Sequence, residues 1–339
     1  MHLTLIRHGE STWNACRRWQ GQSDVPLSPR GRLEARALAA RMFGEHFDHA
    51  YASDLERALE TAAALGFASR PEPRLREIDV GAWAGLTHDE VAERFADEVA
   101  ALRAGAPVRI GGGESMDEFE ARVDAAIDDL AASHEGARVL CVTHGGVVRA
   151  LATRVLDARG RPSPLVGVGN TSVSAVVLDG DRLRLERYND AAHLGRAERD
   201  SAAVRLPEPA TRLTLIAADP DGEADRPLVD AILSGLGIAR YYAVHDAREA
   251  RLAVELFADA VDALGIDALF EEHTDDAFAI LAPPAEIPGL VAGALGLPSG
   301  AGLAVPAHGA LAQLRRTERR TELYAYGVTA GRIESVPLA

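Results

Sequence analysis

An apolar run, Leu3-Thr4-Leu5-Ile6, delivers Arg7 and His8 directly onto Gly9-Glu10. A buried strand ending in a cation, an imidazole and a glycine turn is one way to build a phosphate-binding nucleophile at the end of a sheet strand. Phosphoryl transfer needs a nucleophile, cations around the three equatorial oxygens, and an acid for the leaving oxygen. Neutral imidazole is available near pH 7, and the guanidinium fork grips phosphate oxygens in pairs. His8 is the candidate nucleophile and Arg7 a candidate phosphate ligand. A single histidine after a strand is more often a cap or a surface residue. Three neighbours change the weighing: Arg7 precedes it, Gly9 permits close backbone approach, and Asn14 offers an amide donor to the same loop.

Three further positions supply what His8 lacks. His144 follows the apolar run Arg138 to Thr143 and precedes Gly145-Gly146. Ligands of open α/β sheets bind at the carboxyl ends of strands, so His8 and His144 share one topological address. Arg57 falls in the first turn of a helix, where a cation opposes the dipole and a bound anion would explain it. The chain contains no lysine, so a lone arginine is weak evidence here. Glu77 is the candidate acid and Asp79 its local competitor. A carboxyl beside a phosphate dianion favours its protonated form, as a general acid requires. The residues alone do not choose between the two.

Two other patterns compete with this set. Gly111-Gly112-Gly113-Glu114-Ser115 is glycine-rich before a helix and could cradle phosphate, but it lacks the lysine of a P-loop. A loop entering a capped helix is the better reading, with Ser115 still able to face a pocket. His8, His144 and Glu77 could also be metal ligands, but Arg7 and Arg57 would repel a cation. No metal and no cofactor are expected.

The elements that must hold these residues alternate. Residues 2–6, His49 to Ala52 and Arg138 to Thr143 read as strands. Arg30 to Met42, Asp54 to Leu65, Ser115 to about Ala132 (opened by a capping box) and the stretch after Gly145-Gly146 read as helices. Val173 to Leu178 and Leu183 to Tyr188 form a hairpin around Asp179-Gly180. The fold expected is α/β: a three-layer sandwich with a mostly parallel sheet covered by helices on both faces.

Taken in order, Arg7-His8-Gly9-Glu10, Asn14, Gln20-Gly21, Pro26-Leu27-Ser28, Ser53-Asp54 with Arg57, Glu77 with Gly81-Ala82-Trp83, and Thr143-His144-Gly145-Gly146 resemble the histidine phosphatase superfamily, the phosphoglycerate-mutase-like proteins. The resemblance covers about residues 1–195. It implies that His8 takes the phosphoryl group as a phosphohistidine. Arg7, Arg57, His144 and Asn14 would hold the phosphate oxygens, and Glu77 would protonate the leaving alcohol and then activate water, without a metal. Trp19 to Asp24, and the modest distance from Glu77 to His144, look like the phosphatase branch rather than the mutase branch. The expectation is a phosphoric monoester hydrolase. Mutase-type transfer is the alternative, and a non-catalytic phospholigand-binding or scaffold protein the second alternative. Gln20, Gly21, Ser115 and Gly145 are candidates to line the pocket for a small phosphorylated metabolite.

The chain has 339 residues, 47% hydrophobic and 26% charged, long enough for two domains. A net charge of −15 argues against a nucleic-acid partner. No apolar run of about 18 residues suggests a membrane span. The start lacks the features of a signal peptide, and a candidate catalytic group within the first ten residues leaves no room for a leader ahead of it. A cytoplasmic location is expected, and the sequence is compatible with a homo-oligomer. Cys16 and Cys141 cannot form a disulfide framework, and Cys141 reads as a small buried hydrophobe.

A linker is expected at 196–210, in a polar stretch that includes Pro207-Glu208-Pro209. The chain then restarts with Leu213-Thr214-Leu215-Ile216, the same four residues as Leu3 to Ile6. Tyr241 to Val244, with His245-Asp246 opening a helix, and Phe278 to Ala282 continue the parallel. Residues 211–339 are therefore expected to be a smaller α/β domain, a degenerate and non-catalytic repeat. Ala217 and Ala218 would stand in it where Arg7 and His8 stand in the first half. His245, His273 and His308 share no motif and read as ordinary residues.

Overall fold

The computed structural model describes residues 1–160, 163–180, 182–194, 211–218, 228–229, 241–243, 277–298, 300–317 and 320–329. The expected linker, His245, His273 and the helix expected after His245-Asp246 lie outside the described residues.

The strands of the first half are β1 (His2–Arg7), β2 (His49–Ala52), β3 (Arg70–Pro71), β4 (Arg138–Thr143), β5 (Val173–Asp179) and β6 (Arg182–Asp190). Its helices are α1 (Thr12–Ala15), α2 (Pro29–Arg41), α3 (Glu56–Leu65), α4 (His88–Arg94), α5 (Ala96–Arg103), α6 (Met116–Ser133) and α7 (Gly145–Val155). β1 and β4 are parallel neighbours, with Leu3 opposite Val139 and Arg7 opposite Thr143. Successive side chains of a strand point to opposite faces, and the core divides accordingly. Ile6, Leu140 and Val142 meet Leu38 and Met42 near α2 and Ala58 and Ala62 of α3. Leu3, Leu5, Val139 and Cys141 meet Phe119, Val123 and Ile127 of α6 and Val147 and Leu151 of α7. Both faces of the central strands are covered, which is why these runs are apolar almost throughout.

Local chemistry sets the helix starts. Ser28 caps α2 ahead of Pro29. Ser115 and Glu118 form a reciprocal capping box on α6. Gly66, left-handed at φ 74°, ends α3.

The second half contributes β7 (Thr211–Ala217), β8 (Tyr241–Ala243), β9 (Ala277–Ala282), α8 (Ile287–Ala294), β10 (Ala310–Arg316) and β11 (Thr321–Thr329). The eleven described strands form one sheet, in the order β3-β2-β4-β1-β5-β6-β11-β10-β7-β9-β8. The run β8-β9-β7-β10-β11 repeats β2-β4-β1-β5-β6, with the same parallel and antiparallel pairings. The sheet of the first half is mostly parallel, as expected, with β5 its one reversed strand among the described ones. In each half a single strand, β5 or β10, runs antiparallel to both of its neighbours, and the halves join edge to edge through an antiparallel β6–β11 contact.

Candidate active site

The carboxyl ends of β1 and β4 bring His8 and His144 together, with ring centroids 5.1 Å apart at 61°. The His8 backbone N–H donates to the Thr143 carbonyl at 2.9 Å, which extends the β1–β4 pairing to the candidate nucleophile. Nδ1 of His8 lies 2.7 Å from the Gly9 carbonyl oxygen. A carbonyl only accepts, so the ring proton sits on Nδ1 and the lone pair on Nε2. Burial first, then the Arg57 and Arg7 charges, hold His8 neutral well below its ordinary pKa of 6.5. Gly9 is required for a spatial reason: a Cβ there would lie 2.5 Å from the carbonyl oxygen of Gly31.

Arg57 is fully buried in α3. Its two terminal nitrogens donate to the carbonyls of Gly21 and Ser23, each at 2.8 Å. Burial lowers its pKa to about 10, opposed by Glu77 and reinforced by Arg7, so it stays cationic at neutral pH. One terminal nitrogen of Arg7 donates to the Val168 carbonyl. Nε2 of His144 lies 2.8 Å from Ser53 Oγ, which leaves the buried Nδ1 without a protein partner among the described residues. Burial first, then Arg57, His8 and Arg7, keep His144 neutral as well.

The two carboxyls left open by the sequence separate here. Asp79 Oδ1 accepts the Gly81 N–H at 2.9 Å and so closes a local turn. Glu77 reaches across the cleft: Oε2 accepts the Gly146 N–H at 3.0 Å, and Oε1 accepts its neighbour Ile78 N–H at 3.0 Å. Glu77 therefore rests on the first turn of α7, beside His144. A Cβ at position 146 would fall 2.0 Å from Glu77 Oε1, so the close approach needs glycine. Behind the loop, Arg122 of α6 donates to the carbonyls of Arg74, Arg76 and Glu77 and to Glu114. Thr143 Oγ1 ties Leu75 O to β4 at 2.8 Å.

Asn14 Oδ1 accepts from Ser11 N–H at 3.1 Å and Asn170 Nδ2 at 3.4 Å, leaving the amide nitrogen as the donor it can offer. Gln20 Oε1 accepts from Ser11 Oγ at 2.7 Å, and Gly21 acts through its carbonyl to Arg57. A Cβ on Gly145 would touch Arg7 Nε at 3.4 Å. Ser115 is spent as the cap of α6, accepting the Glu118 N–H at 3.2 Å. Gly111 and Gly113 before it press against the backbone of Asp79 to Ala82, so that stretch buttresses the loop that carries Glu77.

Sequence reasoning names Ser53 only within the Ser53-Asp54 motif, with no role of its own, and does not single out Arg122 and Asn170. Asn170 Nδ2 donates to the His8 carbonyl at 3.0 Å. Its signal is the polar triplet Asn170-Thr171-Ser172 immediately before an apolar strand. In the second half, the Ala218 N–H donates to Ala282 O at 3.0 Å, the counterpart of the His8–Thr143 bond. Alanine thus occupies the position of the imidazole. No group of three or more His, Cys, Asp or Glu side chains among the described residues could hold a metal ion, and no described helix is long and apolar enough to cross a membrane.

Comparison with known proteins follows the same outline. The chain is 38% identical over 200 residues to a metal-independent phosphoserine phosphatase of Arabidopsis thaliana, covering 57% of this chain and 82% of that protein. It is 36% identical over 201 residues to phosphoglycerate mutase-like protein 4 of the same plant, covering 57% and 86%. Phosphoserine phosphatase 1 of Hydrogenobacter thermophilus is 33% identical over 198 residues, covering 57% and 94%. Among solved structures, a mycobacterial glucosyl-3-phosphoglycerate phosphatase in complex with VO3 is similar with a TM-score of 0.51 at 34% identity. It covers 56% of this chain and 98% of that one. A phosphatase or phosphoryl-transfer enzyme is the class these relatives support. The profile of the histidine phosphatase superfamily (branch 1) matches residues 3–191, and the chain belongs to that superfamily.

Proposed function

We propose that this protein is a metal-independent phosphomonoester hydrolase working through a phosphohistidine on His8. The observation that carries the reading is the state of His8: neutral, with its proton committed to the Gly9 carbonyl and its Nε2 lone pair available. His144 packs against His8, the Arg7 and Arg57 charges act on it, and Asn14 is joined to it through Asn170. His144 adds a buried Nδ1 that can donate to a phosphate oxygen while Ser53 holds Nε2.

The reaction runs in two steps. Nε2 of His8 attacks phosphorus, the bond to the ester oxygen breaks, and Glu77 gives its proton to the leaving alkoxide. Water then attacks the phosphohistidine, Glu77 takes the water proton, and the P–N bond breaks to release inorganic phosphate. The arginines stabilise the charge spread over the equatorial oxygens in both steps. The substrate class is a small phosphorylated metabolite.

Hydrolysis of an aryl phosphate, with and without chelator, tests this. Expected are turnover insensitive to chelator, an acid-labile phosphoenzyme trapped from labelled substrate, and a loss of about 10⁴-fold or more in His8→Ala. Unchanged turnover in His8→Ala sinks the proposal, and chelator sensitivity points to a metal instead. Phosphate exchanged between positions of a phosphoglycerate, without release, would identify a mutase. Phosphate binding with no turnover of any phosphomonoester would identify a binding module.

We also propose that the second half is a diverged copy without catalytic function. The repeated strand order and the recurrence of the His8–Thr143 hydrogen bond at Ala218–Ala282 support this.

A further inference from the structure

The two halves meet along one seam, where β6 and β11 pair at Tyr188 and Tyr326. Both tyrosines are fully buried. Each hydroxyl donates to a carbonyl 22 residues earlier in its own half, Tyr188 to Val166 and Tyr326 to Ala304. Across the seam the contacts are reciprocal. Val166 N–H donates to Leu323 O at 3.0 Å, and Ala304 N–H donates to Leu185 O at 3.0 Å. Leu323 N–H donates to Pro164 O at 2.7 Å, and Leu185 N–H donates to Gly302 O at 2.6 Å. In a two-fold, isologous interface residue i of one body meets j of the other, and j meets i. These bonds obey that rule, with Pro164 and Gly302, Val166 and Ala304, Leu185 and Leu323, and Tyr188 and Tyr326 as counterparts.

The flanking ladders agree. β5–β6 and β10–β11 each carry two register shifts, at Val173/Ala175/Val176 and at Leu311/Gln313/Leu314. The left-handed residues coincide too, Thr171 with Gly309 and Asn189 with Gly327.

One break in the symmetry, at Asn189 and Gly327, leads back to the segment around Gly169. Gly327 has no side chain, whereas Asn189 makes two hydrogen bonds. Its Nδ2 donates to Tyr324 O of the second half at 3.0 Å, and its Oδ1 accepts the Gly169 N–H at 2.7 Å. On either side of Gly169 lie the groups that hold the pocket: the Val168 carbonyl accepts from Arg7, and Asn170 donates to the His8 carbonyl. We infer that the second half occupies the place of a second catalytic copy in a two-fold pair, and that through Asn189 it fixes the segment 164–170 that positions Arg7 and His8. Asn189 is a positioning residue, since it touches neither nucleophile nor phosphate. The inference rests on the reading of the His8 pocket as a phosphate site.

The test uses the full chain. The two-fold surface is consumed internally, so sedimentation equilibrium at micromolar concentration should show a monomer. Asn189→Gly keeps the left-handed backbone and removes both side-chain hydrogen bonds. Asn189→Asp keeps an acceptor for Gly169 but opposes the Tyr324 carbonyl with a second acceptor. Inorganic phosphate titrated calorimetrically should bind both variants about tenfold more weakly than wild type, the size of one or two net hydrogen bonds. KM for an aryl phosphate should rise in step. A full chain that sediments as a dimer overturns the inference whether or not either variant folds. So does phosphate affinity in Asn189→Gly within twofold of wild type, or wild-type affinity in Asn189→Asp. Calorimetry reads binding without turnover, so a wild type that binds phosphate but hydrolyses nothing sinks the hydrolase reading and leaves this one standing. A wild type that binds no phosphate removes both.

Discussion

The carboxylate of Glu77 is mounted on the backbone of Gly146, with Oε2 accepting the amide N–H at 3.0 Å. The candidate acid and His144 are therefore positioned by the same helix start, and the distance between acid and nucleophile is set by how α7 leaves β4. Gly146→Ala places a methyl group 2.0 Å from Glu77 Oε1 and must displace the acid. The expected loss in turnover is about 10²-fold on alkyl phosphates. It should be much smaller on aryl phosphates, whose leaving groups need little protonation. Equal losses on both classes would remove Glu77 from the role of acid.

A second prediction concerns pH. Burial and the two arginines lower the pKa of His8 well below 6.5, so this candidate nucleophile stays unprotonated as pH falls through 6.5. The acid limb of kcat/KM assigned to His8 should lie below that value. Stability carries the same sign. The unfolded chain takes up protons on His8 and His144 below about pH 6.5 while the folded chain does not, so stability is lost as pH falls from 6.5 towards the folded pKa values. Denaturant midpoints measured across pH 7.5 to 5 check this, and a rise in stability over that interval would contradict it.

Arg57 tests the guanidinium fork. Its terminal nitrogens hold two carbonyls at once, those of Gly21 and Ser23. A lysine keeps the charge and loses the planar geometry. Arg57→Lys should weaken inorganic phosphate as a competitive inhibitor by about 10- to 100-fold, the worth of one charge-assisted hydrogen bond. Retention of wild-type inhibition would mean that charge alone suffices.

The buried pair of Arg41 in α2 and Asp190 at the end of β6, 5% and 0% exposed, is a separate lever on stability. Burial pushes the Asp190 carboxyl up, but Arg41 and the Ala192 amide outweigh it and hold it below its ordinary value. Asp190→Asn strands the arginine charge, and the expected cost is about 3–5 kcal/mol of unfolding free energy. Urea denaturation checks it; a change below about 1 kcal/mol would mean that water already shares the pair.

Much of this site is legible in the order of residues alone. Strand ends and glycine turns are local, so Leu3 to Gly9 and Arg138 to Gly146 announce two histidines at one sheet edge. The division of β1 and β4 side chains between two core faces follows from the two-residue period of a strand. The second Leu-Thr-Leu-Ile marks a strand that ends in Ala217 and Ala218, without a nucleophile. Relations between residues far apart in the chain are decided only by the tertiary structure. Glu77 and Asp79 are chemically equivalent until one meets Gly146 and the other Gly81. Ser115 is a pocket candidate by position, and the fold commits its hydroxyl to capping α6. Ser53, Arg122, Asn170 and Asn189 are ordinary polar residues in sequence, and only chain closure brings them against His144, the acid loop, His8 and Tyr324. The physical reason is the same in each case. Periodicity and turn chemistry report on neighbours along the chain, whereas a hydrogen bond across 69 or 135 residues, as at Gly146–Glu77 or Asn189–Tyr324, exists only once the sheet has formed.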